Sequence, residues 1–121
     1  MKILLLEDSI AAGAYAELLR DEGHEVAVAM SAHQAYKKLR VSPFEIILID
    51  GGANDIIKDE KSIACVVREE FPQILRICYT ATTTRTYLDD YMEEYDAVVS
   101  KMDGIQTLFD MLNKTRGQGI K

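Results

Sequence analysis

The stretch Phe44–Gly52, FEIILIDGG, decides the fold, because its apolar run stops on Asp50 and is followed at once by two glycines. A second apolar run, Ile3–Leu6, stops on the carboxylates Glu7 and Asp8. Short apolar runs of this kind predict strands buried on both faces of a parallel sheet. Ligands of open α/β sheets bind outside the carboxyl ends of the strands. The sequence therefore predicts a functional site at these carboxylates.

If the two strands are neighbours, Glu7, Asp8 and Asp50 share one small acidic pocket. Carboxylates that lie close together raise one another's pKa, so such a cluster needs compensating positive charge. A hard divalent cation with oxygen ligands is the usual compensation. The pocket is thus a candidate metal site.

Size and composition predict one soluble domain. The chain has 121 residues, 48% of them hydrophobic and 28% charged, enough for a single core. It has no apolar run of 18 residues and no signal-peptide layout, which predicts a cytoplasmic protein that does not cross a membrane. The net charge of −6 argues against nucleic-acid binding through this domain. Cys65 and Cys78 are predicted to be reduced core thiols.

Five apolar segments predict strands, and helical segments separate them. The predicted strands are 2–6, 26–29, 44–50, 74–79 and 97–100; the predicted helices are 9–22, 31–39, 59–70, 85–94 and 103–114. Residues 51–57 and 81–84 are predicted to be loops. Strands that alternate with helices in this way indicate βαβ units and right-handed crossovers.

Local signals set several of these ends. Ser9 is the predicted N-cap of the first helix, and Gly23 its C′ residue. Ser31 and Gln34 form a predicted capping box, and Pro43 separates the second helix from the third strand.

Five strands and five helices predict a flavodoxin-like, doubly wound, five-stranded parallel sheet with strand order 2-1-3-4-5 and helices on both faces. The domain is predicted to span residues 1–115, and 116–121 to be a flexible tail or the start of a linker.

That strand order places Asp8, Asp50, Thr80 and Lys101 at one edge of the sheet. Asp50 is positioned as a nucleophile, and carboxylates accept phosphoryl groups to form acyl phosphates. Thr80 can donate its hydroxyl to a phosphoryl oxygen, and Lys101 supplies a compact positive charge. Phosphoryl transfer needs mainly positioning and charge neutralisation, which this set offers.

The metal in this pocket is predicted to be Mg²⁺. Glu7 and Asp8 can hold it directly or through water, with Asp50 and the backbone carbonyl of Gly52 as further oxygen ligands. Mg²⁺ typically takes one or two carboxylates and keeps several waters.

With these residues in order, the chain resembles the receiver domains of two-component response regulators over nearly its whole length. The resemblance implies that Asp50 is the phosphoacceptor, that Glu7 and Asp8 form the Mg²⁺ site, that Thr80 is the switch hydroxyl and that Lys101 pairs with the phosphate. It further implies a histidine kinase or phosphotransfer protein as phosphoryl donor. A downstream protein would bind the fourth helix and fifth strand. The chain would not be an enzyme beyond Mg²⁺-dependent self-phosphorylation and autodephosphorylation.

Three positions depart from the pattern of that family. Lys101 precedes Met102 rather than a proline, which predicts a trans peptide or a strained loop. Val98 occupies the place of the switch aromatic. The loop after Asp50 has the pair Gly51-Gly52, which favours mobility.

These departures leave a second function open, that of a pseudo-receiver which binds partners without phosphorylation. A haloacid-dehalogenase-type phosphohydrolase is excluded because it needs an Asp at position 52, where this chain has Gly. A nucleotide- or flavin-binding module is disfavoured, since no glycine-rich loop follows the first strand.

Two further groups of residues have competing interpretations. Tyr87, Tyr91 and Tyr95 recur every four residues, which predicts either a packing stripe on the fourth helix or an interaction surface. His24 and His33 have no ligand-spaced partner and are predicted to be surface residues.

Overall fold

The structure, a computed structural model, describes residues 1–81 and 94–118, with side chains as far as residue 115. Its strands are β1 Lys2–Leu6, β2 Glu25–Ala29, β3 Ile46–Ile49, β4 Ile56–Lys58, β5 Lys61–Ser62, β6 Leu75–Thr80 and β7 Ala97–Ser100. Its helices are α1 Ala12–Asp21, α2 Ala32–Val41, α3 Ile63–Glu70 and α4 Ile105–Gln118. Two 3₁₀ turns cover Gly51–Ala53 and Lys101–Asp103.

The main sheet is parallel, and its strand order is β2-β1-β3-β6-β7. This is the predicted 2-1-3-4-5 order, because β6 and β7 are the predicted fourth and fifth strands. The flavodoxin-like fold is confirmed. In the register of β1 against β3, Leu6 lies beside Ile49, so both strands end level with each other. The residues that follow them therefore meet at one edge.

Helices cover both faces of the sheet because its central strands carry apolar side chains on both sides. On one face, α1 and α4 pack on Ile3, Leu5, Ile46, Leu48, Ile77, Tyr79 and Val99. On the other face, α2 and α3 pack on Leu4, Leu6, Ile47, Ile49 and Cys78. These two layers form the hydrophobic core.

Two of the predicted helix ends are confirmed. Gly23 has a φ of +92° and follows α1 as its C′ residue, with its amide donating to the carbonyl of Arg20 at 2.9 Å. The Ser31 hydroxyl accepts from the amide of Gln34 at 3.2 Å, as the capping box requires. Ser9 is not the N-cap of α1, which begins at Ala12 after a turn.

The region after β3 differs most from the prediction. A two-stranded antiparallel hairpin, β4 and β5, lies inside segments predicted as loop and helix. Asp59 and Glu60 form its two-residue turn with φ of 49° and 61°. Helix α3 consequently begins four residues later than predicted, and Ser62 caps it by accepting from the amide of Cys65 at 3.3 Å. The alternating pattern of so short a hairpin is too weak to recognise in a sequence.

Three other predictions have separate outcomes. The prediction that His24 is a surface residue is wrong, because His24 is buried. The nitrogen of the N-terminal amine lies 3.2 Å from Nδ1 of His24. His33 is exposed, as predicted. Cys78 is buried, which raises the pKa of its thiol to about 12, whereas Cys65 is only half-buried; both are free thiols.

The predicted fourth helix, 85–94, and most of the threonine-rich loop fall outside the described residues. The last helix continues to Gln118, four residues beyond its predicted end. Among the described residues, no helix has the length and apolarity that a membrane span needs.

Replacing Glu60 by Gly should raise the free energy of unfolding by about 0.5–1 kcal/mol. A left-handed backbone costs an L-residue about 1–2 kcal/mol, while glycine loses about 0.5–1 kcal/mol more on folding. Urea unfolding measures the difference. Glu60→Ala is the control, because it removes the charge but keeps Cβ. An equal gain in both variants would contradict the assignment to backbone strain.

Candidate functional site

Glu7 and Asp50 are held at the edge of the sheet because backbone hydrogen bonds between neighbouring strands continue one residue past the ends of β1 and β3. The amide of Asp50 donates to the carbonyl of Leu6 at 2.9 Å, and that of Glu7 donates to Ala29 at 3.1 Å. One carboxylate oxygen from each of Glu7, Asp8 and Asp50 lies within 4.8 Å of the others. The structure thus brings together the three carboxylates that the sequence placed in one pocket.

The three carboxylates differ in their access to solvent. Glu7 is 2% exposed, whereas Asp8 is exposed and Asp50 lies between them. Ser9 donates its hydroxyl to Glu7 Oε1 at 2.8 Å and accepts from the amide of Ala11 at 3.2 Å. The residue predicted to cap α1 instead orients a carboxylate of the pocket.

Lys101 crosses from the end of β7 to the same pocket. Its Nζ donates to Glu7 Oε2 at 3.0 Å and to Asp50 Oδ1 at 3.2 Å. A single ammonium therefore faces three carboxylates, and the charge of the pocket is not fully compensated by the described side chains. This deficit of positive charge, together with all-oxygen donors, suits a hard cation.

The pKa of Asp50 is raised above its ordinary value of 3.8. Burial is the largest cause and repulsion from Glu7 the next, while the ammonium of Lys101 opposes both. Burial alone would lower the pKa of Lys101, but its hydrogen bonds and attraction to Glu7 and Asp50 outweigh burial and raise it. The lysine is held in its charged form.

Thr80 and Gly52 flank this centre. Thr80 is the last residue of β6, is buried, and lies beside Ser100 of β7 in the register. Gly52 lies in the 3₁₀ turn after β3, and a Cβ built on it would be 3.5 Å from Asp50 Oδ2. The backbone of that turn is therefore close to the carboxylate oxygen that Lys101 does not bind.

The structure shows how the chain is arranged at two of the positions that depart from the pattern of receiver domains, Met102 and Val98. The peptide between Lys101 and Met102 is trans, and a 3₁₀ turn follows, in which the Ser100 hydroxyl accepts from the amide of Met102 at 3.1 Å. Val98 is half-buried and packs against the core layer that contains Tyr95. Tyr95 itself is buried, although residue 95 is not part of a described helix. Tyr87 and Tyr91 lie outside the described residues, so the predicted stripe stays a prediction.

Sequence reasoning missed two aromatic residues at the site. The Nζ of Lys101 lies 5.1 Å from the ring centre of Tyr15 and 5.5 Å from that of Tyr79. Tyr15 belongs to the apolar stripe of α1, and Tyr79 directly precedes Thr80. Neither spacing distinguishes them from ordinary core residues, so only the folded structure identifies them.

No protein-family model and no curated protein matches the sequence. Solved structures do match: the fold of this chain is that of response-regulator receiver domains. The chemotaxis response regulator CheY4 of Vibrio cholerae has a TM-score of 0.79 and 21% identity, covering 93% of this chain and 96% of that one. The response regulator TrrA of Thermotoga maritima, solved with Mg²⁺-BeF, has a TM-score of 0.74 and 23% identity over 93% and 96%. A receiver domain of the Francisella response regulator 1452 has a TM-score of 0.80 and 18% identity over 93% of both chains.

Replacing Asp50 by Asn should leave the free energy of unfolding at pH 7 unchanged or higher when Mg²⁺ is absent. The change removes a buried carboxylate that Glu7 repels. Since the pKa of Asp50 is higher in the folded than in the unfolded protein, ionising this carboxylate lowers the free energy of unfolding. The loss is complete at pH values above the folded pKa and vanishes below the ordinary pKa of 3.8. The advantage of the variant should therefore shrink as the pH falls through this window.

Urea unfolding at neutral and acid pH measures both effects. A loss above about 2 kcal/mol at pH 7 would show that Asp50 is a structural hydrogen-bonding centre instead.

Proposed function

We propose that this chain is a phosphorylatable receiver domain, in which Asp50 accepts a phosphoryl group from a histidine kinase or a phosphotransfer protein. The observation that carries this proposal is the ammonium of Lys101 bound to Asp50 and Glu7 at the edge of a receiver-type sheet. Charge neutralisation and positioning are what phosphoryl transfer requires of a protein.

In the proposed reaction a carboxylate oxygen of Asp50 attacks the phosphorus of a phosphohistidine. The new P–O bond forms as the P–N bond breaks, and the leaving imidazole takes up a proton. Asp50 Oδ2 is the candidate nucleophilic atom, since Oδ1 accepts a hydrogen bond from Lys101. Lys101 then donates to a phosphoryl oxygen, and so does the hydroxyl of Thr80.

The donor set fits Mg²⁺. Asp8 and Asp50 offer the more accessible carboxylates. The backbone carbonyl of Gly52 would be a further oxygen ligand. Both oxygens of Glu7 already accept hydrogen bonds, from Ser9 and Lys101, so Glu7 would act through water. When bound, Mg²⁺ supplies positive charge to the phosphoryl oxygens. The solved complex of TrrA with Mg²⁺-BeF supports this reading.

The direct test is binding of beryllofluoride with Mg²⁺, which imitates the phosphoryl group on a carboxylate. The wild type should show a bound ¹⁹F resonance, and Asp50→Asn should show none. Asp8→Asn should weaken Mg²⁺ binding at least about tenfold, because even the loss of an outer-shell partner of a metal ligand typically costs about that much. Asp21→Asn, an exposed carboxylate at the end of α1, is the matched control. Equal Mg²⁺ affinity in wild type and Asp8→Asn would remove Asp8 from the site.

Water access to the acyl phosphate should be wide on the side of Gly52, because that residue is exposed and has no side chain. Gly52→Arg should slow loss of the phosphoryl group by several-fold, and its φ lies outside the left-handed region, so the fold tolerates the change. Phosphate release after removal of the donor measures the rate. Gly13→Arg on α1 is the control. An unchanged rate in Gly52→Arg would show that the attacking water does not enter on the side of Gly52. The sequence also predicts that Thr82, two residues beyond Thr80, flanks the path of the attacking water, and Thr82 lies outside the described residues.

The pseudo-receiver remains the second candidate, and Val98 is the observation that favours it. No aromatic ring at this position can move inward when Thr80 shifts toward a phosphoryl group. Signalling through the predicted fourth helix and fifth strand, to a downstream protein, then needs another connection.

Hydrogen bonds join the loop after Asp50 to the chain before β7, and they are the candidate for this connection. Asn54 Nδ2 donates to Glu94 Oε2 at 2.8 Å, while Asn54 Oδ1 accepts from the amide of Ala64 at 2.9 Å. Ser62 donates to the other oxygen of Glu94 at 3.2 Å. Arg76 of β6 donates to the carbonyl of Glu94 and to Asp96 Oδ1. In the proposed mechanism, these hydrogen bonds would transmit a movement of the loop to residues 94–96.

Asn54→Ala should reduce the beryllofluoride-induced amide shifts at residues 94–100 while leaving those at Glu7 and Lys101 in place. The reason is that a ligand shifts a second region only through contacts that differ between the two states. Two-dimensional amide spectra measure the shifts, with Asn113→Ala as the control. If residues 94–100 do not shift even in the wild type, the pocket is uncoupled and the pseudo-receiver reading wins.

A further inference from the structure

The ammonium of Lys101 is bound on two sides by groups of different kinds. Its hydrogen-bonded side meets Glu7 and Asp50, and its other contacts are the rings of Tyr15 and Tyr79, at 5.1 and 5.5 Å from their centres. The two rings meet edge to face with their centres 5.6 Å apart. A cation within about 6 Å of an aromatic centroid is attracted by the ring quadrupole.

The two rings come from elements that the fold holds rigidly. Tyr79 lies in β6 and is 4% exposed, while Tyr15 lies on α1, and both belong to the core layer between that helix and the sheet. The edge-to-face contact fixes the orientation of each ring against the other. Because the side chain of Lys101 is only 17% exposed, water competes little for its ammonium.

We propose that Tyr15 and Tyr79 are positioning residues for Lys101, whose rings keep its ammonium at the phosphoryl site independently of the charge on the carboxylates. This inference rests on the proposed function of Asp50 as phosphoacceptor. The rings touch the lysine and not the reacting atoms, so they act through Lys101.

Electrostatics explains why Lys101 needs a contact that does not depend on the charge of the carboxylates. The carboxylates hold Lys101 only while they are ionised and free of other cations. Conversion of the Asp50 carboxylate to an acyl phosphate neutralises that carboxylate and moves the negative charge to the phosphoryl oxygens, so the anionic partner of the ammonium changes position. Any cation among the carboxylates also repels the ammonium. The ring quadrupoles are unaffected by either event. The two rings therefore keep the ammonium in place while its anionic partner changes from the carboxylate of Asp50 to the phosphoryl oxygens.

The chain offers a matched control in Tyr36. Lys58 lies 5.1 Å from the centre of that ring and Arg40 5.7 Å, and the ring meets Phe71 edge to face at 6.4 Å. This cluster lies in the layer formed by α2 and α3. Tyr36→Leu removes a ring with similar cation contacts from a place that is not the phosphoryl site.

The experiment compares Tyr15→Leu, Tyr15→Phe, Tyr79→Phe and Tyr36→Leu by two measurements. The first is the upfield ring-current shift of the Lys101 ε-methylene protons, which needs no ligand. The second is the affinity for beryllofluoride at saturating Mg²⁺. Tyr15→Leu should reduce the ring-current shift and weaken beryllofluoride binding about five- to thirtyfold, the range of a partly desolvated cation–π contact. Both Phe variants and Tyr36→Leu should bind within about twofold of the wild type, since a phenyl ring keeps the quadrupole.

The outcomes separate this inference from the proposed function. Wild-type affinity in Tyr15→Leu, or a loss in Tyr15→Phe as large as in Tyr15→Leu, would overturn the role of the ring. Equal weakening in Tyr36→Leu would also overturn it, because the effect would then be one of general stability. If the wild type does not bind beryllofluoride, the proposed function fails, and the positioning role fails with it even where the ring-current shift shows the contact.

Discussion

The ion pairs of Lys101 with Glu7 and Asp50 are the interaction on which the site depends. They join the end of β7 to the ends of β1 and β3. Lys101 thereby shares one pocket with Glu7, which lies 94 positions earlier in the chain, and with Asp50, which lies 51 positions earlier. Only a parallel sheet in which these strands end level can bring the groups together. The same contact compensates part of the carboxylate repulsion that would otherwise oppose folding.

Around this centre, local contacts orient the residues of the site. Ser9 orients the buried carboxylate of Glu7, and two tyrosine rings face the ammonium of Lys101. The hairpin of β4 and β5 positions Asn54 and Ser62 to bind Glu94, which lies close to the start of β7. Hydrogen bonds thus connect the loop after Asp50 to the segment before the edge strand, where Val98 offers no aromatic ring.

Features that depend on interactions between residues close in the chain could be predicted from the sequence, whereas features that depend on tertiary contacts could not. Buried parallel strands have a strong local signature, so β1, β7 and the strand order were predictable, and with them the meeting of Glu7, Asp8, Asp50 and Lys101 at one edge. The hairpin turn at Asp59 and Glu60 was missed because two non-glycine residues in the left-handed region contradict local preference. His24 was predicted wrongly, and Tyr15 and Tyr79 were missed, for another reason. Their environments arise from tertiary contacts that spacing does not encode.

The central claim, that Asp50 accepts a phosphoryl group, is tested most directly by chemical trapping. The protein would be incubated with acetyl phosphate and Mg²⁺ and then treated with borohydride, which reduces an aspartyl phosphate to homoserine; peptide mass mapping locates the change. The account predicts homoserine at position 50, with none at the exposed Asp55 nearby and none without Mg²⁺. Homoserine at another aspartate, or unmodified Asp50 in a folded protein that binds Mg²⁺, would contradict it.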